Sequence, residues 1–183
     1  MPLMIQTKKY SYLDLERIPE DGLRREIHRG ELIILPSPSK EHQDILANLN
    51  DLVRPYVRRN RLGYTSFAPF DVILEFDETT IPDYLFVRAE RLEMVTNRAI
   101  LGAPDWMVEI LSPTSGKRDL EGKKQLYQDH GVQLYWVIDP VRQEVLVWED
   151  DWAKPKVYTM LETIEVSCIA GLSFAVSDLF AAF

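Results

Sequence analysis

The chain has 183 residues, 46% hydrophobic and 27% charged, with a formal net charge of −8, a balance that suits one soluble globular domain over residues 1–183. The acidic surplus counts against broad, sequence-blind nucleic-acid binding through a basic surface, although not against acidic clusters that bind divalent metals. No run approaches the ~20 apolar residues of a membrane span, the N-terminus lacks a signal-peptide pattern, and the lone Cys168 excludes an intrachain disulfide and a cysteine zinc cluster, so a cytoplasmic, reducing setting is expected.

"YSYLDLERI" has helical spacing and stops at Pro19. "LRREIHRGELIILP" reads as two short strands joined at "HRG", with Gly30 at the turn. A long helix is predicted from about Lys40, capped by Ser39, with Ile45, Leu49, Leu52, Val53 and Tyr56 as its apolar stripe; Pro55 either kinks it or starts a new turn. "FAPFDVILEF" and "TIPDYLFV" read as strands around "DETT", and "PDWMVEIL" as a third strand ended by "SPTSG". "KRDLEGKKQLYQDHGV" is a helix stopped at Gly131. "LYWVID" is the near-continuous apolar run of a covered central strand, ended by Pro140. "EVLVWED", "KVYTML" and "TIEVSCI" look like antiparallel additions, and "SDLFAAF" like a closing helix capped by Ser177. This order implies an α/β or α+β fold: a mixed β-sheet flanked by helices, with extra C-terminal antiparallel strands.

Two of the apolar strands each carry one carboxylate, Asp83 in "IPDYLFV" and Glu109 in "DWMVEILSPTS". Burying such a charge is costly unless something compensates. Asp83 reads either as a backbone cap in a "PD" turn or as a ligand. Glu109 projects from a strand that is apolar on both faces, so a divalent cation or a buried Arg or Lys must answer it. If the two strands pair antiparallel, both acids fall at one sheet edge. On the next helix Asp119, Lys123, Leu126, Tyr127 and His130 share a face. Lys123 either reaches that edge or forms an exposed pair with Asp119, while Lys124 points about 100° away, toward solvent. Glu26 and Glu31 on the N-terminal hairpin either join the edge or are solvated, and His42 is a further accessory candidate. Three scattered histidines and one cysteine make no zinc spacing. There is no P-loop, dinucleotide fingerprint or G-x-S-x-G elbow. Oxygen ligands of this kind suit Mg²⁺ or Mn²⁺.

With Asp83, Glu109 and Lys123 in this arrangement, the pattern resembles the PD-(D/E)XK restriction-endonuclease-like superfamily, and more closely the Uma-two family within it. The matching segments are "REIHRGELIILPSPSKEHQDIL", "IPDYLFV", "PDWMVEILSPTS", "DLEGKKQLYQDHGVQLYWVIDP" and "IAGLSFAVSDLF". The resemblance implies a restriction-endonuclease-like core and metal-dependent hydrolysis of DNA, with Asp83 and Glu109 as metal ligands. The superfamily's lysine usually follows the second acid by two residues, where this chain has Leu111; the family places it on the following helix, as Lys123. Glu26 and His42 also match family positions. Many related nucleases act as dimers, so a homodimer is expected. The second reading is a non-catalytic module that keeps the fold to bind nucleic acid or protein. A third, a two-carboxylate glycosidase, is opposed by the lysine and the small core.

Overall fold

The computed structural model describes residues 9–112 and 117–182, and the side chains of all of these except 117–120. The N-terminal part contains α1 (Tyr12–Leu15), the hairpin β1 (Arg24–His28) and β2 (Glu31–Leu35), and the long helix α2 (Lys40–Asn60). Next come β3 (Gly63–Phe67), β4 (Asp71–Glu75), β5 (Glu78–Thr80) and β6 (Tyr84–Arg88). A 3₁₀ segment, Ala89–Met94, leads to β7 (Ala99–Leu101), β8 (Trp106–Ile110), α3 (Lys117–Asp129) and β9 (Leu134–Asp139). The chain finishes with β10 (Glu144–Trp148), β11 (Lys156–Thr159), β12 (Thr163–Glu165), β13 (Ser173–Ala175) and α4 (Val176–Leu179).

Six strands form the main sheet in the order β11-β10-β9-β8-β6-β3. All of its pairs are antiparallel except β8 with β9, which the α3 crossover joins in parallel. Five more strands form a second sheet, β2-β1-β5-β4-β7, and β12 and β13 pair separately. The expectation of one mixed sheet with appended strands is thus correct in class, but the N-terminal hairpin and "DETT" build a sheet of their own.

Side-chain alternation explains how the main sheet sits between two cores. Tyr84, Phe86, Trp106, Val108 and Trp136 face the core that α2 covers, with Ile45, Leu49, Val53 and Val57 as the buried helix stripe. Burying each such aliphatic side chain contributes roughly 1.5–3 kcal/mol. Leu85, Val87, Met107, Tyr135 and Val137 face the other core, with Leu126 and Tyr127 of α3 and Val72 and Ile100 of the second sheet. Because β8 and β9 are covered on both faces, their sequences are continuously apolar.

Several boundaries differ from the sequence reading. Ser39 does cap α2, accepting from the His42 amide at 3.2 Å, and the helix continues through Pro55 to Asn60. "FAPFDVILEF" is not one strand: it breaks at Ala68-Pro69, a cis peptide bond, where proline has no N–H for a ladder. "TIPDYLFV" likewise splits at Pro82, leaving Thr80 in one sheet and Tyr84 in the other. The closing helix is capped at Ala175 with Ser177 inside it, and α1 is only one turn long. Strands β3, β7 and β13 were not foreseen, because runs of three to five residues carry little periodicity. "SPTSG" falls largely outside the described residues. Among the described residues no helix is long and apolar enough to cross a membrane.

One titration is set by the fold itself. Burial raises the Asp71 carboxyl, at the start of β4, to about 6. Below its ordinary value of 3.8 both folded and unfolded chains hold this proton, and stability is unaffected. As pH rises toward 6 the unfolded chain ionises first and stability falls; above 6 the whole loss is in place. Asp71→Asn should therefore be more stable than wild type at pH 7.5 and equal to it at pH 3.5, read from urea midpoints; an equal gain at both would refute the titration.

Candidate active site

The antiparallel register of β6 and β8 decides where the two acids meet. Tyr84 lies opposite Val108 and Leu85 opposite Met107, so continuing the register by one residue sets Asp83 opposite Glu109. Like charges directly opposite on a sheet repel. Each carboxylate is held by its own donors. Asp83 Oδ2 accepts from the Ile110 amide at 2.7 Å and contacts His42 Nε2 at 3.0 Å. Glu109 Oε1 accepts from Lys123 Nζ at 2.9 Å and from the Tyr127 hydroxyl at 2.6 Å. The hydrogen bonds among the described residues use neither Asp83 Oδ1 nor Glu109 Oε2.

The second sheet brings a third acid. Glu26, on β1, is buried; its Oε1 accepts from Thr80 Oγ1 at 2.8 Å, the Ile81 amide at 2.9 Å and Lys123 Nζ at 2.9 Å. Lys123 therefore ties the two sheets together through Glu26 and Glu109. Thr80 Oγ1 also lies 3.0 Å from the Tyr127 hydroxyl, which closes the ring of contacts.

Burial pushes the Glu109 carboxyl up to about 7; Asp83 and Glu26 push the same way, against Lys123 and Tyr127. Burial opposes the Lys123 charge, but Glu109 and Glu26 outweigh it and hold the ammonium protonated well above its usual range. Burial, with Glu109 next, also keeps the Tyr127 and Tyr135 hydroxyls protonated far beyond the usual phenol range.

A cavity of about 560 Å³ opens on this cluster, bounded by β1, β2, the segment after β2 and the end of β8. Glu26, His42, Asp83, Glu109 and Lys123 line it; Glu31 does not, and is exposed at the start of β2. Lys124 is not solvated as expected: its Nζ donates to the Trp152 carbonyl at 3.0 Å. His28 meets Glu78 at 2.9 Å, and His130 meets the Leu126 carbonyl at 2.7 Å. The Asp119 side chain, with those of Lys117 and Arg118, lies outside the described set. The basic run Arg54, Arg58, Arg59 and Arg61 is at the wrong end of α2: Arg58 is sixteen residues past His42, about 24 Å along the axis. Sequence reasoning missed Thr80, Tyr135 and the Ile110 amide. Only Tyr127 carried a signal, its place on the Lys123 face.

Two mixed sheets with facing carboxylates and a lysine at one end define an α+β protein of the restriction-endonuclease-like class. The model of the Uma2 family, described as "Putative restriction endonuclease", matches residues 11–177, and the chain belongs to that family. A solved structure with the same fold is that of a "putative nuclease belonging to DUF820" from Anabaena variabilis, 25% identical, with a TM-score of 0.79 over 93% of this chain and 97% of that one. No curated protein matches.

Proposed function

We propose that this protein hydrolyses phosphodiester bonds of DNA at the cavity, with Asp83 and Glu109 as ligands of a divalent cation, Mg²⁺ or Mn²⁺, and Lys123 as the cationic catalytic group. The observation that carries the reading is the cross-strand placement of Asp83 and Glu109 with Lys123 Nζ 2.9 Å from Glu109. The donor set fits such an ion. Three carboxylates, Glu26, Asp83 and Glu109, line the cavity with Lys123, and the hydrogen bonds among the described residues use neither Asp83 Oδ1 nor Glu109 Oε2. Among the described residues no three His, Cys, Asp or Glu side chains gather as a complete ligand set. The two carboxylates Asp83 and Glu109 by themselves match the one or two that Mg²⁺ takes while keeping waters.

A bound ion of this kind polarises a phosphate oxygen and lowers the pKa of an attacking water. The chain's own groups do the rest. His42 and the Ile110 amide fix the Asp83 carboxylate, and Tyr127 fixes that of Glu109. Lys123, held protonated, offers positive charge where the phosphorane-like transition state gathers negative charge. Glu26 positions Lys123 without needing to touch substrate.

Calorimetric titration with Mn²⁺ is expected to give one site in the wild type and none in Asp83→Ala/Glu109→Ala; equal binding by both would place the ion elsewhere. Plasmid nicking should need the ion and be lost in Glu109→Ala. Metal binding without any cleavage would instead mark a binding module, a reading that the net charge of −8 favours.

A homodimer is part of the same proposal. Strand β11 is one of the two edges of the main sheet, and Val157 on it is exposed, features that support pairing between copies. Sedimentation at micromolar concentration should show twice the 21.3 kDa chain mass; a species of one chain mass throughout would reject it.

A further inference from the structure

We propose that His28, oriented by Glu78, is the general acid of the reaction at the cavity and gives its Nε2 proton to the sugar oxygen that leaves phosphorus; this rests on the hydrolytic reading above. Strand β1 pairs with β5 at Ile27 and Thr79. Continuing that register sets Glu26 beside Thr80 and His28 beside Glu78, and both pairs are in hydrogen-bond contact, at 2.8 and 2.9 Å. Glu26 and His28 are two residues apart on one strand, so they share a face and stand about 6.6 Å apart along it. Both line the cavity. Strand β5 runs from Glu78 toward Asp83, so His28 is at the end of this ladder away from the two acids, one step past the Glu26–Lys123 contact. Displacement at phosphorus sets the attacking and leaving oxygens roughly in line, on opposite sides. A donor to the leaving oxygen belongs some way from the acids, whereas a base for the attacking water would sit among them. Lys123, held protonated by its two carboxylates, serves poorly as that donor.

The hydrogen bonds of the pair fix the ring for this task. Glu78 is buried, while the His28 side chain is 37% exposed and so within reach of a substrate. Glu78 Oε1 accepts from the Arg29 amide at 2.9 Å, and Oε2 lies 2.9 Å from His28 Nδ1. An ionised carboxylate only accepts, so Nδ1 carries a proton, and the hydrogen bonds among the described residues leave Nε2 unused. Glu31, opposite His28 on β2, and Arg29, next in the chain, are the other charged neighbours on the hairpin. In the step, the water oxygen bonds to phosphorus and the bond to the leaving oxygen breaks with its electron pair on that oxygen. The leaving oxygen takes the Nε2 proton and ends as a hydroxyl. The surplus proton of the water goes to solvent, from which His28 regains its own.

The test compares two DNAs, identical except that sulfur replaces the leaving oxygen at a bond that the wild type cuts. A thiol is a far stronger acid than an alcohol, so the sulfur leaves without a proton. At saturating Mn²⁺, His28→Gln should cut the oxygen-bridged DNA about 10²–10⁴-fold more slowly than wild type, and the sulfur-bridged DNA within about threefold of it. Its Mn²⁺ affinity by calorimetry should stay at the wild-type value. Glu78→Gln keeps an acceptor for the Arg29 amide and should show a smaller loss, again confined to the oxygen-bridged DNA. In the metal-free wild type, ¹⁵N spectra should place the proton of the neutral His28 ring on Nδ1. If His28→Gln does not fold, Glu78→Gln and these spectra decide. Equal losses on both DNAs, no loss on either, or a neutral ring protonated at Nε2 would overturn the proposal and leave hydrolysis standing. A wild type that cuts no DNA would sink the hydrolytic reading, and this proposal with it.

Discussion

Lys123→Ala is expected to lower turnover on DNA by about 10²–10³-fold at saturating Mg²⁺, and Lys124→Ala by less than about twofold. The two lysines are neighbours on α3 and so point about 100° apart. Lys123 Nζ lies 2.9 Å from both Glu26 and Glu109, at the cavity, whereas Lys124 Nζ donates to the Trp152 carbonyl. Removing Lys123 also takes the ammonium from two carboxylates and leaves them only neutral donors among those named, so each variant must be shown folded by its urea transition before rates are compared. Lys124→Ala loses one hydrogen bond, worth about 1 kcal/mol of stability, without touching the reaction. Equal loss of turnover in both variants would mean that general basic charge matters. Loss in Lys124→Ala alone would discard the assignment.

Asp105→Ala should destabilise the fold by about 3 kcal/mol, the low end for breaking a buried ion pair. Asp105 is 0% exposed. Its Oδ1 accepts from Arg91 Nη1 at 2.8 Å and its Oδ2 from the Arg88 amide at 2.8 Å, with Arg88 Nε 3.7 Å away. Both arginines are more than a third exposed, so much of their charge stays hydrated and the cost falls below that of a fully buried pair. These bonds lock the end of β6 to the start of β8, and thereby the register that sets Asp83 against Glu109. Asp105→Asn keeps an acceptor for the Arg88 amide and should lose less. A loss below about 1 kcal/mol in the alanine variant, measured by urea unfolding, would show the pair to be energetically idle.

The same dipeptide, proline-aspartate, opens both strands, at Pro82-Asp83 and Pro104-Asp105, and the sequence alone does not separate their roles. Asp83 lines the cavity beside Glu109, and Asp105 is consumed by arginines at the opposite end of β6. Local sequence pattern was enough for what depends on nearest neighbours. The stripe of α2 and its Ser39 cap, the hairpin turning at Gly30, the doubly covered "LYWVID" strand and the face shared by Lys123 and Tyr127 all follow from periodicity and turn chemistry. Glu109 stood out because a charge inside an apolar run demands an explanation.

What only the tertiary structure decided are contacts between residues far apart in the chain. Glu26 and Lys123 are 97 residues apart, and no local signal links them or marks Thr80 as the hydroxyl beside them. Glu31, five residues from Glu26 on the same hairpin, is exposed at the turn end of β2, opposite His28, whereas Glu26 lies farther along, opposite Ile33, which lines the cavity. The division of "DETTIPDYLFV" between two sheets likewise depends on which strands are already in place, and it is this division that wraps β1 and β5 around the end of β6 and β8 to form the cavity. Sequence periodicity reports which face of an element is apolar; it carries no information about which distant element will cover that face, and the site lies where those coverings meet.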